Sequence, residues 1–140
     1  MTNEPKKTIL VADDDPVMLR LLQLNLGKAG FNVVSCNEGL SVLETALSTK
    51  PSVALLDYLL PGRTGLELIK DFKGNPSLGS VPIIVVTGQG KGSTRNELIA
   101  AGAVEVFTKP FSPSLLIETI QNQLDLPVDK ERAGVLSNQA

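Results

Sequence analysis

Asp13, Asp14, Asp57, Thr87 and Lys109 are the residues whose types and spacing suit chemistry. Each closes a short apolar run: ILVADD, VALLD, IIVVT and VFTK. Runs that are apolar at every position read as parallel strands buried on both faces. Side chains that close neighbouring parallel strands meet at one edge of the sheet. Carboxylates gathered there repel one another unless a cation joins them. A hard divalent ion that prefers oxygen ligands, Mg²⁺ above all, answers that need. The set then comprises a carboxylate nucleophile, a cation site, an ammonium and a hydroxyl, which suits phosphoryl transfer to an aspartate. In this reading Asp57 attacks, Lys109 neutralises a phosphoryl oxygen and Thr87 donates a hydrogen bond to the product. A plainer reading stands beside it, in which Asp13 and Asp14 cap a strand end and Asp15 caps the following helix.

Composition narrows the choices. The chain has 140 residues, 42% hydrophobic and 20% charged, with a formal net charge of -2, which fits one globular domain and gives no support to nucleic-acid binding. It has no histidine and a single cysteine, Cys36. Thiolate–histidine and serine–histidine centres are excluded, as is a disulfide within the chain. The N-terminal MTNEPKK is polar and unlike a signal peptide, and no stretch approaches transmembrane length. A cytoplasmic location without membrane insertion is the expectation.

The elements that must position these residues alternate along the chain. Strands are expected at 8–13, 31–35, 52–57, 81–86 and 103–108. Between them lie helices: one opened by Asp15 and Pro16, carrying Met18, Leu19, Leu22 and Leu26, with Leu21 and Leu24 widening the apolar face so that its orientation is left open, and Gly27 and Gly30 at its end; one over 40–47 packing through Val42, Leu43, Ala46 and Leu47; one over 64–72 after a Pro-Gly turn; one near 93–101; and one over 113–124, started by Ser112 and Pro113. Five βα units imply an α/β fold, a doubly wound five-stranded parallel sheet of order 2-1-3-4-5 in a flavodoxin-like three-layer sandwich. Residues 1–7 read as a tail, 8–125 as the domain and 126–140 as a polar C-terminal tail.

Read together, ILVADDDP, LLDYLLPGRTG, IIVVTG and VFTKPF resemble the response-regulator receiver domain of bacterial two-component signalling, the CheY-like family, over about residues 7–125. The resemblance implies that Asp13 and Asp14 hold Mg²⁺ with Asp57, the phosphoacceptor, and with the backbone carbonyl of Leu59. It implies a cis Lys109–Pro110 bond. The side chains that flank the pocket and tune phosphoryl hydrolysis match Leu59 and Gln89, with core packing the other reading of Leu59. The switch pair would be Thr87 and the position three before the lysine, where the family often has an aromatic and this chain has Val106. Strand alternation points Phe107 to the opposite face, as a core residue. Thr64 stands where an acidic residue is common, with no evident effect on catalysis. The loop GQGKGS is not a P-loop, since the GxxxxGK[ST] spacing is absent. It reads as a strand-to-helix connection or as a segment that rearranges, with Lys91 and Arg95 available to a partner.

The implied function is a signalling switch. A sensor histidine kinase or histidine phosphotransfer protein donates the phosphoryl group to Asp57, and the 88–111 surface shifts to control a downstream protein. The chain would catalyse its own phosphorylation and dephosphorylation without being a turnover enzyme in the ordinary sense. Without histidine it cannot itself be the phosphohistidine donor. No helix-turn-helix unit follows, so direct DNA binding is not expected, and the oligomeric state would be a monomer or weak homodimer. The main alternative is a pseudo-receiver that binds partners constitutively, favoured by Val106 and opposed by the complete Asp, Thr and Lys set. An aspartyl-phosphate hydrolase would need a lid, for which the chain has no insertion, and a flavin carrier would face an acidic cluster where its phosphate should sit.

Overall fold

The computed structural model describes residues 6–88 and 95–124. The main sheet is built from β1 (Thr8–Ala12), β2 (Asn32–Cys36), β3 (Val53–Asp57), β4 (Ile83–Thr87) and β5 (Glu105–Thr108). All neighbours are parallel, in the order β2-β1-β3-β4-β5. This is the topology expected from the alternation of apolar runs and helical segments. A helix follows each strand among the described residues: α1 (Pro16–Lys28), α2 (Val42–Thr49), α3 (Gly65–Lys73), α4 (Arg95–Ala101) and α5 (Pro113–Gln123).

Alternation along each strand divides the apolar side chains between two cores. Leu10, Ala54, Leu56, Ile83 and Val85 join Val42, Ala46, Leu68, Phe72 and Leu98 on the α2–α3–α4 side. Ile9, Val11, Val53, Leu55, Ile84 and Val86 join Leu22, Leu26, Leu116 and Ile120 on the α1–α5 side. Every residue of β3 and β4 is buried, which explains their unbroken apolar sequence. Each fully buried Val, Leu or Ile among them contributes roughly 1.5–3 kcal/mol by leaving water.

Local signals set the helix boundaries. Asp15 accepts a hydrogen bond from the Val17 amide, with Pro16 in the first turn, so it is the cap expected of it. Ser112 accepts from Leu115 in the same way ahead of Pro113. α1 runs through Gly27, and the positive φ of 99° falls on Gly30 instead. β1 ends at Ala12, leaving Asp13 just beyond the strand. α2 is preceded by a 3₁₀ turn at Gly39–Ser41 and continues to Thr49, past the expected end at Leu47. Leu47 does not join the core, since its side of α2 faces solvent, and Val42 and Ala46 are the fully buried residues.

One element departs from the expected simple turn. After β3 the chain folds into a small antiparallel hairpin in which Leu59 opposes Thr64 and Leu60 opposes Arg63. Pro61 and Gly62 make its tip, and Gly62 takes the φ of 91° that a Pro-Gly turn needs. Thr64 then caps α3 through a reciprocal pair: its hydroxyl accepts from the Glu67 amide, and the Glu67 carboxylate accepts from the Thr64 amide at 2.9 Å.

Candidate phosphoacceptor site

The strand ends bring the acids together as expected. Asp13 follows β1, where its amide donates to the Cys36 carbonyl at 3.1 Å. Asp57 ends β3, the neighbouring strand. Carboxylate oxygens of Asp13, Asp14 and Asp57 all lie within 4.8 Å of one another. Asp13 is 3% exposed and Asp57 8%, whereas Asp14 faces solvent. Asp13 also accepts from the Asp15 amide at 2.9 Å, which fixes its carboxylate at the head of the loop.

Lys109 crosses from β5 to these acids. Its amide donates to the Thr87 carbonyl at 2.8 Å, and its Nζ lies 3.4 Å from Asp13 Oδ2 and 3.3 Å from Asp57 Oδ2. The Lys109–Pro110 bond is cis. Thr87 is buried at the end of β4, one residue beyond Val86, the register partner of Asp57. Its hydroxyl donates to the Gly88 carbonyl at 2.9 Å.

The electrostatics follow from this crowding. Burial, then the Asp13 carboxylate, raise the Asp57 pKa to about 6 against the pull of Lys109, and Asp14 adds to the rise. Burial opposes the charge on Lys109, but Asp57 and Asp13 outweigh it and raise its pKa. One ammonium therefore offsets only part of the negative charge of three acids. The donors are all carboxylates, two of them buried, with residual negative charge, and such a group can coordinate a hard metal ion.

The hairpin beside the acids carries the Leu59 backbone carbonyl. The Gly65 amide donates to the Tyr58 carbonyl at 2.7 Å. Antiparallel alternation then makes Leu59 and Thr64 the next, non-hydrogen-bonded pair, so the Leu59 carbonyl is turned away from the hairpin partner. The Leu59 side chain is 55% exposed, which rules out the core-packing reading. Gly65 lets α3 begin against this loop, because a Cβ there would lie 3.1 Å from the Tyr58 Cα.

Val106 and Phe107 sit on opposite faces of β5. Val106 packs on the α2–α3–α4 core, and Phe107 on the α1–α5 core, edge to face with Phe111 at 6.2 Å. Arg95 pairs with Glu105 within the chain and so is not simply a free contact for a partner. Gln89, Lys91 and most of the GQGKGS loop lie outside the described residues. The capping role of Thr64 was missed in sequence although T-x-x-E is its signature. The Arg63–Asp71 ion pair, at 2.8 Å, left no local signal. Among the described residues, no helix is long and apolar enough to cross a membrane.

Comparison with known proteins gives the same picture. Residues 9–121 match the family described as the response regulator receiver domain. The phosphate regulon transcriptional regulatory protein PhoB of Pseudomonas aeruginosa is 30% identical over 115 residues, which are 82% of this chain and 50% of PhoB. The chain thus spans about half the length of the curated relatives it matches. A Chloroflexus aurantiacus crystal structure described as a response regulator superposes with a TM-score of 0.81 at 32% identity, covering 87% of this chain and 100% of that one. The receiver domain of a Pseudomonas aeruginosa sensor histidine kinase, crystallised with a magnesium ion in its active-site cleft, shares the fold at a TM-score of 0.78 and 23% identity, with coverage of 87% and 100%.

Proposed function

The chain belongs to the response regulator receiver domain family, and from that membership we propose that Asp57 accepts a phosphoryl group from a phosphohistidine on a sensor histidine kinase or histidine phosphotransfer protein. The observation that carries the reading is the single ammonium of Lys109 shared by the buried acids Asp13 and Asp57. Above its pKa of about 6 Asp57 is ionised and offers an oxygen to phosphorus. The new O–P bond makes an acyl phosphate while the N–P bond breaks and its electron pair returns to the imidazole. Lys109 moves its hydrogen bond from the carboxylate to a phosphoryl oxygen. Thr87 gives up its bond to the Gly88 carbonyl and donates to another.

Asp13, Asp14, Asp57 and the Leu59 carbonyl are the ligands we assign to Mg²⁺. When bound, the ion supplies charge neutralisation and polarisation of the phosphoryl oxygens. Leu59, exposed beside Asp57, and Gln89 are the residues assigned to tuning hydrolysis. Thr87 and Val106 would carry the change to the 88–111 surface and to a downstream protein. Residues 8–125 would form the working domain, with residues 1–7 and 126–140 outside it. The donor reading is supported by the start of α1, where Pro16, Val17, Arg20, Leu21 and Leu24 line a shallow cavity of about 440 Å³. Val17 is 75% exposed two residues from the Asp15 cap, an apolar seat beside the acids for a protein phosphodonor.

The test is intact mass after incubation with Mg²⁺ and a small acyl phosphate, with Asp57→Asn alongside. A gain of about 80 Da on wild type alone is expected for one phosphoryl group. No gain on either folded protein would favour a constitutive binding module.

A further inference from the structure

The loop that carries the Leu59 carbonyl is fastened outside the acid cluster at two points. Arg63 donates to Asp71 through both Nε and Nη2, at 2.9 and 2.8 Å, a two-pronged pair that fixes orientation as well as distance. Asp71 stands on α3, next to Phe72 and close to Leu68 and Ile69, all fully buried, so its mount is rigid. At the second point the Gly39 amide donates to the Pro61 carbonyl at 2.7 Å. A Cβ on Gly39 would stand 2.7 Å from Arg63 Cβ and 2.8 Å from Arg63 N, so the two backbones lie flush. The same connection begins at Cys36, whose carbonyl receives the Asp13 amide. One short segment therefore touches both the first acid and the hairpin tip.

We propose that Arg63, anchored by Asp71 and seated on Gly39, is a positioning residue for the metal site, holding the Leu59 carbonyl in its ligating orientation. The inference rests on the reading of Leu59 as a Mg²⁺ ligand. The Arg63 and Asp71 side chains are 35% and 23% exposed, so the pair is only partly withdrawn from water, and a melt on each variant separates its effect on stability from its effect on the loop. An arginine at 63 needs its carboxylate partner at 71 to act in this way, which makes the pair the testable unit.

The experiment is a calorimetric Mg²⁺ titration of the full chain, with a thermal melt on each variant. Arg63→Ala and Asp71→Ala are expected to weaken Mg²⁺ by about tenfold, as loss of an outer support does elsewhere. The double variant should be no weaker than either single one, and Arg63→Lys should fall between wild type and Arg63→Ala. Ile120→Val, which destabilises the distant α1–α5 core, should leave the affinity unchanged. Wild-type affinity in folded Arg63→Ala, or equal weakening in Ile120→Val, would overturn the proposal while leaving the metal reading intact. If wild type shows no saturable binding and matches Asp13→Asn, the metal reading fails and this inference falls with it.

Discussion

Lys109 and Asp57 are 52 residues apart in the chain, yet the lysine Nζ lies 3.3 Å from the aspartate Oδ2. The contact joins the ends of β3 and β5, which are separated in the sheet by β4. The lysine therefore reports on both the resting charge of the acids and the chemistry of the acceptor.

Replacing it separates those two roles. Lys109→Met removes positive charge from an acid cluster, so Mg²⁺ should bind more tightly than to wild type. Phosphorylation by a small acyl phosphate should nonetheless slow by about a hundredfold, because a preorganised cation for the phosphoryl oxygens is gone. Calorimetry and a mass time course measure the two effects. An unchanged phosphorylation rate would remove Lys109 from the mechanism.

The raised Asp57 pKa makes a pH prediction for metal-free protein. In the folded state Asp57 protonates near 6, against an ordinary 3.8 when unfolded. Between these values the native state binds more protons than the unfolded one, so stability falls as pH rises through the window. The loss is complete above it, and amounts to about 3 kcal/mol. Urea unfolding in chelator should find Asp57→Asn more stable than wild type at pH 7 by about that much. The gap should shrink toward pH 4 and be offset by added Mg²⁺, which binds the native state. Equal stabilities at pH 7 would contradict the electrostatic account.

The apolar strip on α1 predicts a split between donors. Leu21→Glu leaves the acids untouched and Leu21 is already 40% exposed, so folding and phosphorylation by acyl phosphate should be normal. Transfer from a phosphohistidine protein should slow by about tenfold or more, since a charge then occupies an apolar contact. Equal slowing with both donors would mean the substitution acts on the acceptor pocket rather than on docking.

The cap on α3 is a stability feature in this chain. Thr64→Ala removes the hydroxyl that receives the Glu67 amide and should cost about 1 kcal/mol. Thr64→Asp should retain most of it, because an aspartate caps equally well. Denaturant midpoints measure both. If Thr64→Ala is neutral, the reciprocal bonds contribute no net stability.

What the sequence made legible follows from pattern length. β3 and β4 are buried on both faces, so SVALLD and VPIIVVT announce strands and place Asp57 and Thr87 at their ends. Strand alternation also separated Val106 from Phe107 correctly. The hairpin at Leu59–Thr64 has strands of only two residues, too short to carry any period. Arg63 and Asp71 are eight apart, outside the three- and four-residue spacings that join neighbours on a helix, and Arg63 is not on the helix at all. Leu47 looked like core because α2 is rich in apolar residues, and its exposure depended on how the helix was rotated.

The sheet keeps the two apolar cores from mixing. The α1 strip lies over one of them, while Val106 and α4 belong to the other. On the proposed function, a donor seated on α1 and a listener reading the Val106 side would approach the molecule from opposite faces. Delivery of the signal and its reception would then not compete for space, and each surface could change its partner without rebuilding the other.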